Sequence, residues 1–279
     1  MRFHTFIVIC CYLFTLTLCF GDEKSPLEKS EALITELKFY DALVALEPLL
    51  TTDQESEDQE KALWIANMLS DRLQRILSDE YLKYYQERKG RGFIKGALVK
   101  EWGKIDILNR LGAGFTYFEM AGGFLYHYSF LKRLVELYPN SEWRPAAEYY
   151  LIQEGYPIPQ DAKNNLKALY AYVKKYEKSG LTEIYKAYLD IAYINHGLWA
   201  FLAHPEDDPF GNAAEYSSGD PEKDKELGAV HKAEALKYYA KFILSGFQGK
   251  HPDQQAGALA NYKELKQNKV RGYSLLVID

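Results

Sequence analysis

A few histidines and acids are the residues of this chain best suited to chemistry. Beyond residue 21 the histidines are His127, His196, His204, His231 and His251. No two of them have the four-residue spacing with which a helix presents two imidazoles to zinc. The loop His204 to Asp208 places one imidazole beside three carboxylates. Turns commonly collect such residues, so a solvated acidic turn is favoured there, and a metal site assembled from distant residues stays open.

Glu119 is the one acid in the apolar stretch from Leu111 to Phe130. Burial would raise the pKa of its carboxyl and suit it to general acid catalysis, but with no second carboxylate nearby a structural role is favoured. The glycines at 112–114 and 122–123 lack the flanking strand and the following lysine of a phosphate-binding loop. No catalytic residue, metal or cofactor is therefore predicted.

Aromatic residues are the better candidates for a binding surface. The chain contains 23 tyrosines, and large rings with a polar tip suit both the layers between helices and contacts with a partner. His127 and His196 lie among these aromatic residues and are interpreted as core or groove histidines, each with a hydrogen-bond partner. The predicted groove residues are Tyr126, Tyr128, Tyr150, Tyr188, Trp199 and Tyr239.

The first 21 residues resemble a targeting segment. Arg2 precedes an uncharged, largely apolar run from Phe6 to Leu18, and charged residues begin at Asp22. This order is typical of a cleaved secretory signal peptide, which predicts a periplasmic or secreted protein. All three cysteines lie in this segment, so cleavage after Gly21 removes every thiol. The alternative is a lipid anchor on Cys19, although Leu18 before it is larger than the usual small residue.

The charge balance argues against nucleic-acid binding. The whole chain has 34 basic and 39 acidic residues, and removing 1–21 takes away one basic residue, which leaves a net charge of 33 minus 39, or −6. Nucleic-acid binders need a concentrated basic face that displaces counterions. The one dense basic stretch, residues 88–100, is typical of a solvated loop. No later apolar run has the roughly 20 residues of a membrane span.

The clearest structural pattern runs from residue 128 to 154. Apolar residues recur three or four apart before Pro139, which predicts a helix with one buried face. Pro139 cannot continue this helix, whereas Ser141 can cap a second helix that has Pro145 in its first turn. The segment therefore predicts two helices joined by a tight break.

Further helices are expected before this pair. A capping box at 25–28 opens a helix, and Pro48 should end or kink the helix that follows it. Helical spacing from about 57 to 87 predicts one long helix, or two joined near Ser78. After the pair, apolar periodicity predicts helices over 162–178, 182–204, about 221–246 and 252–266. The turn-rich segment 205–220 is expected to be a mobile loop.

The segment 88–123 departs from the helical pattern. It contains eight of the chain's 19 glycines, so regular helix is not expected through most of it. Residues 92–99 are interpreted as a strand or an extended loop, and residues 272–278 as a second β-like stretch that could pair with it. An exposed C-terminal strand, Tyr273 to Ile278, would also permit self-assembly.

The helix pairs, with Tyr138-Pro139-Asn140-Ser141 followed by Ala146 and Ala147, resemble degenerate tetratricopeptide-like repeats of exported bacterial envelope proteins. The resemblance covers roughly 25–55, 124–178 and 182–245. It implies an all-α stack of antiparallel helix pairs, an α-solenoid. Such proteins are periplasmic or lipid-anchored scaffolds, so the resemblance implies a protein or peptide partner.

Taken together, the sequence predicts a signal peptide at 1–21 and one helical-repeat domain from 22 to 279. This domain is all-α, with a Gly-rich irregular insertion and one small β-pairing. The expected function is an exported scaffold that binds a protein segment, because stacked helix pairs leave an extended groove. The alternative is an envelope carbohydrate- or peptidoglycan-active enzyme that uses Glu119 in a cleft.

Overall fold

The computed structural model describes residues 24–87, 95–118, 123–152, 162–203, 205, 216–245 and 252–269. Helices make up 77% of this part of the chain, which confirms the mostly helical class. It contains eleven helices and one two-stranded antiparallel sheet. Among these same residues, no helix combines the length and the apolar character needed to cross a membrane.

The chain divides into two compact units, residues 1–138 and 139–279, where the sequence predicted one domain. The boundary lies in the break of the helix pair predicted at 128–154. Both helices of that pair are present, Ser129–Leu137 and Arg144–Ile152, so the break at Pro139 is confirmed. The two helices belong to different units.

The first unit has six described helices and both strands. They are α1 (Pro26–Thr35), α2 (Phe39–Ala45), α3 (Glu47–Leu50), α4 (Glu57–Glu87), α5 (Lys95–Arg110), β1 (Phe115–Phe118), β2 (Gly123–Tyr126) and α6 (Ser129–Leu137). The capping box is confirmed, since the Glu28 amide donates to Ser25 Oγ and the Ser25 amide to Glu28 Oε2. Pro48 lies in the first turn of α3, so α2 ends before it as predicted.

The Gly-rich segment is more regular than its composition suggests. Residues 95–99 belong to helix α5, so the expectation of a strand or an extended loop there is wrong. Ile105 and Leu108 are buried three residues apart, and their burial outweighs the helix cost of about 1 kcal/mol for a glycine such as Gly103. One β-pairing is present among the described residues, between Phe115–Phe118 and Gly123–Tyr126.

Helix α4 covers one edge of this β-hairpin. The amides of alternate residues in β2 point away from β1: Tyr126 donates to Gln74 Oε1 at 2.6 Å and Phe124 to Ser78 Oγ at 3.0 Å. Gly123 is buried directly against Ser78, and a Cβ added to it would lie 2.6 Å from the Ser78 hydroxyl oxygen. The close approach of β2 to α4 therefore requires glycine at 123.

Arg133 of α6 and Tyr138, the residue after α6, contact the segment that leads from the end of α3 into α4. The Arg133 guanidinium donates to the carbonyl oxygens of Leu50 and Thr52, the latter at 3.0 Å. The Tyr138 hydroxyl accepts from the Ser56 amide at 3.0 Å and lies 2.5 Å from Gln59 Oε1. These contacts satisfy backbone groups at the end of α3 and before α4 that no helix hydrogen bond reaches.

The second unit contains α7 (Arg144–Ile152), α8 (Ala162–Tyr176), α9 (Thr182–Ala203), α10 (Pro221–Leu244) and α11 (Pro252–Lys266), close to the predicted bounds. Helix α9 is its centre, because 15 of its 22 residues are buried. It packs against α7, α8 and α10, and α11 packs against α10. The polar residues Asn195 and His196 are buried with the apolar core of α9.

Some of the sequence-based predictions concern residues outside the described part of the chain. They are the signal peptide, Cys19, Glu119, His204 with its acidic neighbours, and the C-terminal stretch 272–278. The expected mobile loop 205–220 is described only at 205 and 216–220. At this end, the Ser218 amide donates to Asp224 Oδ1 at 2.6 Å, and Asp220 caps α10.

Candidate functional site

The six predicted groove residues are divided between the two units. Tyr126 and Tyr128 belong to the first unit, and Tyr150, Tyr188, Trp199 and Tyr239 to the second. Tyr239 is wholly buried, and Tyr126, Tyr188 and Trp199 are less than a tenth exposed. Of the six, only Tyr128 and Tyr150 are half-buried. Most of them are therefore core residues of their own units, and their role in partner binding stays a prediction.

The two singled-out histidines have the hydrogen-bond partners that the sequence predicted. Nε2 of half-buried His127 lies 2.7 Å from Thr116 Oγ1. His196 is fully buried, and its Nδ1 lies 3.1 Å from the Tyr239 hydroxyl. Burial lowers the pKa of His196 to about 4, so the ring is neutral at pH 7. Within the described residues, no cluster of three or more potential metal ligands is present.

A third histidine, which the sequence reasoning did not single out, belongs to a polar network between three helices. Asn195 of α9 is buried and donates from Nδ2 to the Ile191 carbonyl at 2.8 Å and to the Tyr170 hydroxyl at 3.0 Å. A carbonyl oxygen only accepts, so this contact fixes the orientation of the amide. Asn195 Oδ1 therefore faces His231 Nδ1 of α10, at 2.8 Å.

This arrangement decides where the His231 proton lies. Burial, with a smaller contribution from the Lys163 ammonium, lowers the pKa of His231, and Glu234 acts in the opposite direction. The ring is therefore neutral at pH 7, and Nδ1 must carry the proton because Asn195 Oδ1 can only accept. Nε2 is left with its lone pair, ready to accept a hydrogen bond.

We expect ¹⁵N NMR of the ring nitrogens to show His231 as the neutral Nδ1–H tautomer at pH 7. The physical reason is the fixed Asn195 amide, which offers Nδ1 an acceptor and no donor. Replacing Asn195 with alanine should release this preference, so that the two tautomers become more equally populated. A wild-type ring that is charged at pH 7, or protonated on Nε2, would contradict the assignment.

Tyr170 of α8 connects this network to the outer part of α10. Burial raises the pKa of Tyr170 to about 12, so its hydroxyl is protonated and can donate to Glu234 Oε2 at 3.4 Å while it accepts from Asn195. Lys237, one turn after Glu234, donates to Oε1 at 3.0 Å. The Tyr170 ring is thereby fixed at its polar end, and it also contacts the Tyr238 ring, with the ring centres 5.6 Å apart.

Two further tyrosine rings, Tyr188 of α9 and Tyr238 of α10, are contacted by Lys241 of α10. The Lys241 ammonium lies 5.1 Å from the Tyr188 ring centre and 5.2 Å from that of Tyr238, and donates to Glu177 Oε1 at 2.6 Å. The Tyr188 hydroxyl donates to the same carboxylate oxygen at 3.3 Å. Less than a tenth of each tyrosine is exposed, and a cation over a tyrosine ring contributes about 0.5–2 kcal/mol, more when the pair is desolvated.

Two apolar side chains are exposed beside these polar groups. Val230 is 59% exposed and Leu227 is 36% exposed. They precede Glu234 and His231 by one helical turn, so they lie on the same side of α10. We call this surface the Tyr170 face; it consists of Tyr170, Leu227, Val230, His231, Glu234, Lys237, Tyr238 and Lys241.

The Tyr170 face offers hydrogen-bond donors, one imidazole acceptor, two apolar side chains and the edge of the half-buried Tyr170 ring, whereas its other tyrosine, Tyr238, is buried. Such a mixture suits the recognition of a polypeptide. The sequence did contain a signal for it, because His231, Glu234, Tyr238 and Lys241 recur three or four apart along α10. The contact with Tyr170 through Asn195 had no sequence signal, since it depends on how three helices pack.

Comparison with known protein families, with curated proteins and with solved structures finds no match to this chain.

Proposed function

We propose that the chain is an exported binding protein whose second unit takes a protein segment on the Tyr170 face. The export signal rests on the pattern of residues 1–21, with Arg2 before an apolar run. The architecture we propose is the tetratricopeptide-like stack of antiparallel helix pairs. It is supported by the packing of α7 on α8, α8 on α9, α9 on α10 and α10 on α11.

One observation carries the proposal: the exposed Val230 and Leu227 lie one helical turn before Glu234 and His231, which belong to the network that fixes the Tyr170 ring. Val230 and Leu227 lose nothing in intramolecular packing when a partner covers them, because most of Val230 and a third of Leu227 are in water. Covering an apolar side chain stabilises a complex by roughly 25 cal/mol for each Å² removed from water. Exposed apolar groups rimmed by polar residues are typical of interaction sites.

The fixed Tyr170 ring lowers the entropic cost of binding. Tyr170 is held by Asn195 and Glu234. Ordering a free side chain on association costs about 0.5–1.5 kcal/mol. Rings that are held before the partner arrives avoid this cost, which is the reason that tyrosine serves well in binding surfaces.

The proposal is tested by site-specific photo-crosslinking in the native host. A photoreactive residue replaces Lys237 of the Tyr170 face or, as the control, exposed Lys263 of α11. We expect one protein to crosslink at 237 and not at 263, with its crosslinked peptide identified by mass spectrometry. The Val230→Gln variant, which removes the exposed apolar group, should weaken binding of that peptide by about five- to tenfold.

Leu244→Gln is the matched control, because Leu244 is an equally apolar residue of α10 that is 81% exposed at the end of the helix. It should bind like the wild type. Absence of a specific product at 237, or a product that Val230→Gln and Leu244→Gln reduce equally, would exclude the Tyr170 face as the binding site.

A further inference from the structure

Helix α8 bears a line of lysines along one side. Its sequence contains Lys163, Lys167, Lys174 and Lys175 and no acidic residue between Ala162 and Tyr176. Lys163, Lys167 and Lys174 are all exposed, as is Ala171 between them. At 100° per residue these four positions fall within an arc of about 80°. The buried residues Leu166, Leu169 and Val173 are on a different side of the helix.

We call Lys163, Lys167 and Lys174 the basic stripe. Within the described part of the chain, none of the three forms an ion pair or a side-chain hydrogen bond, although the Lys163 ammonium lies 5.4 Å from the Tyr216 ring centre. Their neighbour Lys175 is different, because it binds Glu148 at 2.7 Å. The stripe is therefore a row of positive charge that the described residues of its own unit leave uncompensated.

The stripe adjoins the Tyr170 face. Tyr170 is three residues after Lys167 and four before Lys174, so both lysines are its neighbours on the surface of α8. The Lys163 ammonium is close enough to His231 to lower the pKa of that ring, so the other end of the stripe lies near α10. A chain segment bound to the Tyr170 face would therefore meet the stripe without turning.

We propose that the segment recognised by the second unit is acidic, and that its carboxylates lie along the basic stripe. This inference rests on the proposed function, since it names the chemistry of the partner at the same surface. Lysine ammonium groups only donate and carboxylates only accept, so the pairing is complementary in hydrogen bonding as well as in charge.

The dimensions of the stripe fit one extended chain. Lys163 and Lys167 are separated by about 6 Å along the helix axis, and Lys174 lies about 10 Å further on. Residues on one face of an extended strand recur about every 7 Å. Carboxylates at alternate positions of a segment of about six residues would thus reach all three lysines.

Other polyanions fit the surface less well. The stripe is one helix wide and belongs to a chain with net charge −5, whereas nucleic-acid binding requires a wide basic face. An anionic membrane surface would favour large apolar side chains between the lysines, and the exposed residue there is Ala171. A narrow, flexible acidic segment matches both the width and the composition of the stripe.

The test uses the intact protein and a fluorescent peptide of alternating glutamate and serine. We expect fluorescence polarisation to show binding that weakens with added salt, because exposed charges are screened. The double variant Lys167→Glu and Lys174→Glu should weaken binding at least about tenfold, since attraction becomes repulsion at two positions. Both side chains are exposed, so we expect the variant to keep its helical circular dichroism.

The matched control is Lys225→Glu with Lys263→Glu, two exposed lysines of α10 and α11. It has the same net charge as the stripe variant and should bind within about twofold of the wild type. Equal weakening in both variants, or no peptide binding by the wild type, would overturn the inference. So would stripe-dependent binding of oligothymidylate or of phosphatidylserine vesicles without binding of the peptide.

The inference and the proposed function fail in different ways. If the peptide does not bind but the photo-crosslink at position 237 persists in the stripe variant, the partner is a protein and is not acidic at this stripe. If the crosslink at 237 is absent in the wild type, the Tyr170 face is not the binding site, whatever the peptide does.

Discussion

Replacing Gly123 with alanine is expected to destabilise the first unit by about 2–3 kcal/mol. The new Cβ would lie 2.6 Å from Ser78 Oγ and 2.9 Å from Ser78 Cβ, well inside van der Waals contact. Strand β2 would have to move away from α4, and the hydrogen bond from the Phe124 amide to Ser78 would lengthen from 3.0 Å. The measurement is urea-induced unfolding monitored by hydrogen exchange at amides of the first unit, which gives the loss in its free energy of unfolding.

A second substitution tests the cause. Ser78→Gly removes both atoms that the alanine would meet most closely, at a cost of about 1 kcal/mol for glycine in a helix and the loss of two hydrogen bonds, from Ser78 Oγ to the Gln74 carbonyl and from the Phe124 amide to Ser78 Oγ. We expect the double variant to be at least about 1 kcal/mol more stable than the sum of the two single effects predicts. If the free-energy changes of the two single variants simply add in the double variant, the close approach of residue 123 to Ser78 is not the reason that Gly123→Ala is destabilising.

Gly103→Ala is the control for adding a methyl group. A Cβ at Gly103 meets nothing within 4 Å, and the residue lies within α5. Alanine there should leave stability unchanged or raise it by up to about 1 kcal/mol, because alanine is the better helix former. A Gly103→Ala variant as unstable as Gly123→Ala would contradict the steric explanation.

The second unit is expected to lose about 3 kcal/mol of stability as the pH falls from 6.5 to 4. Burial lowers the pKa of His196 to about 4 in the folded state, whereas the ordinary value is 6.5. Between these values the unfolded chain binds a proton that the folded chain does not. The stabilisation that depends on neutral His196 is therefore fully present above pH 6.5. It declines as the pH falls from 6.5 to 4 and changes no further below about pH 4.

The measurement is the free energy of opening of α9, from native-state hydrogen exchange at several pH values. His196→Asn retains a polar atom near Tyr239 but cannot titrate. The free energy of opening of its α9 should therefore be lower than in the wild type at pH 8 and should change less between pH 6.5 and pH 4. His127→Asn is the control, because His127 belongs to the first unit. An α9 opening energy in His196→Asn that falls as steeply as in the wild type would show that another group is responsible.

Local signals in the sequence predicted the helices well. The capping box at Ser25, the proline at 48 and the start of α10 after Asp220 act within one helical turn, and each marks a helix end in the structure. The long run at 57–87 forms one helix because Leu69, Leu73 and Leu77 continue the same buried face through the region near Ser78. Such signals depend on neighbouring residues alone.

The features that sequence reasoning missed depend on distant residues. The β-hairpin has a local signal, since aromatic residues two positions apart occur in both strands (Phe115 and Tyr117, Phe124 and Tyr126), but glycine content obscured it. Its stability also requires Gln74 and Ser78, which are 46 to 52 positions away. The site likewise unites Tyr170, Asn195 and His231 from three helices. No spacing rule predicts which buried amide meets which imidazole.

The contacts of Arg133 and Tyr138 with the segment between α3 and α4 join positions 81 to 83 residues apart. A ribosome adding roughly 5–20 residues per second needs about 4–16 s to bridge that distance, whereas helices form within about a microsecond. Helices α1 to α3 therefore emerge and fluctuate for seconds before the residues that close the first unit exist. During this interval the contacts of Arg133 and Tyr138 cannot form, so the segment between α3 and α4 stays without the side chains that satisfy its backbone.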